Sequence, residues 1–291
     1  MSTDRLAYRL LASLFLLFAG APHVTATEIG SFKDDLFAYP GILEQADGGA
    51  FLKVDYDKMR DIHKRDEDPE RRVKGKYVST GVRWSQDFET IETGGRKVDV
   101  FQVGKLAPSR FAVIFVHGRG GDRKLGANDY SFGGNFNRLK NIAARNNGIY
   151  YAPTVRDSGD GGTADVSALI SYVKAAAPQT KIVLTCASMG SFICWKITED
   201  AQVSAKLSGM MIFGGPADPR FLDSPARAAM LPMFFSHGSD DTVYPWTNQY
   251  GVYKKLVDAG YPTRFVLFNT GSHGTPIRMT DWRDALNWMI R

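Results

Sequence analysis

The sequence predicts an α/β fold, a mostly parallel central sheet with helices on both faces. Six short apolar runs, at residues 111–116, 148–152, 182–185, 209–213, 233–235 and 265–268, have the length and composition of buried strands. Stretches of helical character lie between most of them, at 138–146, 163–176, 191–200, 247–259 and 281–290, and such alternation builds parallel ladders. The run Phe111-Ala112-Val113-Ile114-Phe115-Val116 is apolar without a break, as a strand covered on both faces must be. With 44% hydrophobic and 23% charged residues over 291 positions, the composition is globular and a single α/β domain accounts for the length.

In chain order, residues 1–26 are expected to be a signal peptide. Arg5 and Arg9 make a positive region ahead of an apolar stretch at 10–21, and Val24-Thr25-Ala26 suits cleavage after Ala26. That stretch is 12 residues long, short of the about 20 needed to cross a bilayer. An exported protein, periplasmic or secreted, with no stable membrane span after cleavage is therefore expected; an uncleaved signal anchor is the alternative. Residues 27–76 form an extension with little pattern. Tyr39-Pro40-Gly41 and Asp47-Gly48-Gly49 read as turns, 56–64 as a short amphipathic helix, and 66–72 as a solvated run of mixed charge. Whether the extension packs on the main domain or helps to roof a site is open. The main domain is expected at 77–291, entered through a hairpin: a strand over 77–92, a turn at Thr93-Gly94-Gly95-Arg96 and a return over 98–103.

The net charge is +5, but lysines and arginines form no stripe, so neither nucleic acid nor an anionic membrane is an expected partner. The two cysteines, Cys186 and Cys194, sit on a strand and on the helix after it. Strand and covering helix are typically about 10 Å apart, whereas bridged Cα atoms lie within about 7 Å, so two free buried thiols are expected. No Cys/His spacing suits zinc.

The chemistry centres on Lys181-Ile182-Val183-Leu184-Thr185-Cys186-Ala187-Ser188-Met189-Gly190-Ser191. A strand ends in small residues, then a serine, then a helix, which puts Ser188 at the apex of a tight turn. This stretch resembles the nucleophile elbow Gly-x-Ser-x-Gly of the α/β-hydrolase family, with Cys186 in place of the first glycine. That family keeps the order nucleophile, acid, histidine along the chain. Here His237-Gly238-Ser239-Asp240-Asp241-Thr242-Val243-Tyr244-Pro245 resembles its acid loop, which assigns the acid to Asp241 with Asp240 as rival. His273 follows the last strand, where the family places its general base. Of the other histidines, His117 and His237 end strands in His-Gly turns and are expected to serve structural hydrogen bonds. The turn His117-Gly118-Arg119-Gly120-Gly121-Asp122 follows the strand after which the family places its oxyanion loop. By resemblance the donors are the backbone N–H groups of Arg119 and Met189. The glycine spacing fits no nucleotide-binding loop.

The resemblance covers roughly residues 77–291 and is nearest to the compact carboxylesterase, dienelactone hydrolase and prolyl-oligopeptidase-like branches. It implies a serine hydrolase acting on a small-molecule carboxylic ester, with no metal or organic cofactor. The sequence shows no long apolar tunnel, which favours short acyl groups or a polar ester such as one borne on a carbohydrate. A peptidase, amidase or thioesterase on the same triad, or a non-catalytic protein retaining the fold, are the alternatives. The loop 128–136, with Phe221, Tyr244 and Trp246, is expected either to line a substrate pocket or to pack the loops together.

Overall fold

The computed structural model describes residues 28–67 and 72–291. The expected signal peptide, and residues 68–71 of the charged run, lie outside the described residues. The strands are β1 Ile42–Ala46, β2 Phe51–Val54, β3 Asp66–Glu67, β4 Arg72–Val73, β5 Gln86–Thr93, β6 Arg96–Val103, β7 Phe111–Val116, β8 Gly148–Pro153, β9 Lys181–Ala187, β10 Leu207–Phe213, β11 Met233–Gly238 and β12 Thr263–Phe268. The α-helices are α1 Asp34–Phe37, α2 Arg123–Ala127, α3 Asn135–Arg145, α4 Asp160–Ala176, α5 Ser191–Glu199, α6 Ala201–Ser204, α7 Pro225–Ala228, α8 Trp246–Asp258, α9 Thr275–Met279 and α10 Trp282–Met289.

Ten strands make one sheet in the order β1-β2-β12-β11-β10-β9-β7-β8-β6-β5, while β3 and β4 pair as a separate ribbon. The strands from β8 across to β2 run parallel, and antiparallel pairing is confined to the two ends. Along β7 the side chains alternate between two cores. Ala112, Ile114 and Val116 pack with residues of α4, α5 and α8, whereas Phe111, Val113 and Phe115 pack with residues of α3 and α10. The unbroken apolar run thus reflects two covered faces.

From β7 the chain crosses to β8 on one side, and β9 then starts the run of strands on the other. The loops leaving β7 and β9 therefore diverge, and in open α/β sheets such a reversal opens a crevice at the carboxyl ends of the strands. The candidate site lies there.

The extension joins the sheet: β2 runs parallel to β12 with Phe51 opposite Phe265, and β1 forms the outer edge. The hairpin strand starts at Gln86 rather than at 77, and residues Thr80–Ser85 form a 3-10 helix. The reason is pairing, since the ladder ends with Val103 opposite Gln86 and the Gly104 N–H bonded to Ser85 O.

The two cysteines depart from expectation. Cys186 and Cys194 are joined by a disulfide, with Cα atoms 6.2 Å apart. The 10 Å spacing holds for a helix lying over the middle of a strand. Here only three residues, Ser188–Gly190, separate the end of β9 from the start of α5, so its first turns have not yet diverged from the strand.

Candidate active site

β9 ends at Ala187, and Ser188 adopts a left-handed backbone with φ 51°. This conformation is uncommon outside glycine and tolerated where the surroundings enforce it. Two glycines allow the turn to meet the loop after β7. A Cβ on Gly190 would lie 2.5 Å from the His117 carbonyl oxygen and 2.9 Å from that of Val116, and one on Gly118 would lie 2.8 Å from Ser188 Cβ. The elbow and the glycine turn therefore touch backbone to backbone.

Three side chains converge at this crevice. The Ser188 hydroxyl lies 2.9 Å from His273 Nε2, and His273 Nδ1 lies 2.8 Å from Asp241 Oδ2. Because a carboxylate only accepts, Nδ1 carries the hydrogen and Nε2 accepts from the serine. Asp241 comes from the loop after β11 and His273 from the loop after β12, which is tied to the extension by Asn269 N–H to Val54 O and Thr270 Oγ1 to Tyr56 O.

The Asp241 side chain is fully buried. Its Oδ1 accepts from the backbone N–H groups of Val243 and Tyr244, and its Oδ2 also lies 3.1 Å from His237 Nε2. Burial alone would raise its pKa, but the hydrogen bonds from His237, His273 and the two amides outweigh burial and hold it well below the usual carboxylate range. His237 is itself oriented by Gln249, whose Nε2 donates to Gly215 O and whose Oε1 faces His237 Nδ1. Asp240, the rival, is exposed and accepts from Ser239 Oγ instead. His117 accepts on Nε2 from the Val155 N–H and donates from Nδ1 to Gly118 O, which props the glycine turn from behind.

Arg119 and Met189 line a cavity of about 400 Å³ together with Ser188 and His273. The Arg119 backbone N–H has no acceptor among the described residues. Leu125, Phe132, Phe213 and Ile277 give this cavity its apolar wall. Leu125, Phe132 and Gly274 also border a second cavity of about 610 Å³, to which the extension contributes Lys58 and Ile62. The aromatic residues divide. Phe132 and Tyr244 line the site, with the Tyr244 ring 5.9 Å from that of His273, whereas Phe221 packs on Trp195 and Trp246 on Tyr250 and Phe265. Burial and then the Asp241 charge raise the Tyr244 phenol, and Arg119 opposes them. Sequence reasoning missed Gln249, Phe213 and Ile277, which carry no local signature.

Among solved structures the chain is similar to a thermostable esterase, with a TM-score of 0.56 and 18% identity over 72% of this chain. It spans 63% of that esterase's length. It is also similar to the Pyrococcus furiosus esterase Pf2001, at TM-score 0.53 and 14% identity over 75% of this chain and 96% of the other. A third similar structure is an α/β serine hydrolase homologue from Coxiella burnetii, at TM-score 0.52 and 18% identity over 69% and 95%. The chain has the α/β-hydrolase fold. No protein-family model and no curated protein matches the sequence. Among the described residues no group of three or more His, Cys, Asp or Glu is placed to hold a metal ion, and no helix is long and apolar enough to cross a membrane.

Proposed function

We propose that the protein is an exported serine hydrolase that cleaves carboxylic esters through Ser188, His273 and Asp241. The observation that carries this reading is the unbroken series of hydrogen bonds from Ser188 Oγ through the His273 ring to a buried carboxylate, at the edge of a ligand-sized cavity. A serine hydroxyl is a weak nucleophile until a positioned base takes its proton. His273 Nε2 accepts that proton as Oγ attacks the ester carbonyl, and Asp241 stabilises the imidazolium that results. The backbone N–H groups of Arg119 and Met189 receive the negative oxygen of the tetrahedral intermediate. Its collapse expels the alcohol, which takes its proton from His273. Water activated by the same imidazole then releases the acid from Ser188.

The disulfide supports export, since such bonds persist in oxidising compartments. The about 400 Å³ cavity beside Ser188 favours short acyl groups. Turnover of p-nitrophenyl acetate and butyrate, lost in Ser188→Ala, is the expected result. Turnover that survives in Ser188→Ala overturns the mechanism, and a strong preference for long-chain esters overturns the acyl-length reading.

A further inference from the structure

A third cavity, of about 480 Å³, opens beside the site on the far side of the glycine turn. It shares Gly118, Arg119, Gly121 and Met189 with the cavity that holds Ser188, so a molecule bound at Ser188 can extend into it. Its outer wall is the loop after β8, including Arg156 and Asp157. Arg119 and Arg156 are both exposed, and neither forms an ion pair among the described residues. Across the three cavities the cationic lining residues are Lys58, Arg119, Arg156 and Arg278, and only Arg278 is neutralised, by Asp66 at 2.5 Å. The sole lining carboxylate among the described residues is Asp157, and its Oδ1 accepts from the Gly159 N–H.

Two arginines against one carboxylate leave the lining of this cleft net positive, and an anionic group bound there is attracted by both arginines. The planar fork of arginine matches a carboxylate in particular. We infer that the ester substrate carries a carboxylate, held in this third cavity by Arg156 and the Arg119 side chain while the scissile carbonyl sits at Ser188. This inference rests on the serine-esterase reading and narrows its substrate class. The carboxylate can belong to the acyl half or to the alcohol half of the ester, and matched substrates separate the two.

The test compares kcat/KM within two pairs. Mono-4-nitrophenyl adipate against 4-nitrophenyl hexanoate places the charge on the acyl side. 4-Acetoxybenzoate against its methyl ester places it on the alcohol side. The carboxylate-bearing member is expected to lead by about tenfold or more in one pair, about 1.4 kcal/mol. Arg156→Gln is expected to remove that lead mainly through KM, and high salt to shrink it. Its melting temperature, measured alongside, verifies that the variant is folded. Equal or better use of the neutral member in both pairs overturns the inference while leaving the esterase reading intact. A lead that survives Arg156→Gln overturns it as well. No turnover of any of the four esters, with no phosphonate adduct on Ser188, removes the esterase reading and this inference with it.

Discussion

Gly190→Ala tests the contact on which the site geometry depends. The added Cβ would meet the His117 carbonyl oxygen at 2.5 Å and that of Val116 at 2.9 Å, both backbone atoms that no rotamer change can move. Reaching the ordinary contact distance of 3.4 Å requires the elbow and the β7 loop to separate by about 0.9 Å, the difference between 3.4 and 2.5 Å. That movement carries Ser188 and the Met189 N–H away from the Arg119 N–H. Displacements near 1 Å in a reacting constellation cost about 100-fold in rate. Overpacking of this kind also costs about 1–3 kcal/mol of stability, or a lowering of the melting temperature by about 2–10 °C at this chain length. Gly251, on the exposed face of α8 with nothing within 4 Å of an added Cβ, is the matched control. Gly251→Ala should gain about 0.5–1 kcal/mol with unchanged activity. The assay is kcat/KM on p-nitrophenyl butyrate beside a thermal melt. Wild-type kcat/KM and melting temperature in Gly190→Ala would refute the reasoning.

Asp241→Asn should lower kcat about 10³–10⁴-fold in steady-state assays, because the amide no longer fixes the His273 tautomer. The same residue makes stability depend on pH: its folded pKa lies below the unfolded value of about 3.9, so its contribution is complete above that pH and is lost as pH falls toward the folded value. Urea titrations should show a steeper loss of stability below about pH 4 in the wild type than in Asp241→Asn. Lys140→Met removes the ammonium 2.5 Å from the buried Asp129 carboxylate, which keeps Arg83 at 3.0 Å, and should cost about 1.5–3 kcal/mol in urea unfolding. The double variant Lys140→Met/Asp129→Leu should recover part of that loss. Replacing both Cys186 and Cys194 by alanine releases a loop whose ends are 8 residues apart, and should cost about 2.5 kcal/mol by the chain-entropy relation.

The layered fold was legible because β7, β9 and β11 are covered on both faces and leave unbroken apolar runs. The elbow was legible because its turn restricts residue size at Gly190 and its apex at Ser188, a local constraint that prints itself in a few adjacent letters. Asp241 and His273 could be placed because each follows a recognisable strand. β1 and β2 were not legible: they are short, β1 is exposed and pairs only with β2, and β2 is held by pairing to β12, more than 200 residues away in sequence. Gln249 was invisible for another reason: nothing around it in α8 announces that it braces His237. The disulfide was not legible because Cys186 and Cys194 flank a turn where strand and helix have not yet separated to their packed spacing.

The most direct test of the central claim is mass-spectrometric mapping after treatment with a serine-directed phosphonate, run on the wild type, Ser188→Ala and His273→Ala. The account predicts one adduct per chain, on the peptide containing Ser188, absent in Ser188→Ala and formed far more slowly in His273→Ala. No adduct on the wild type, or an adduct on another serine that persists in Ser188→Ala, would contradict it.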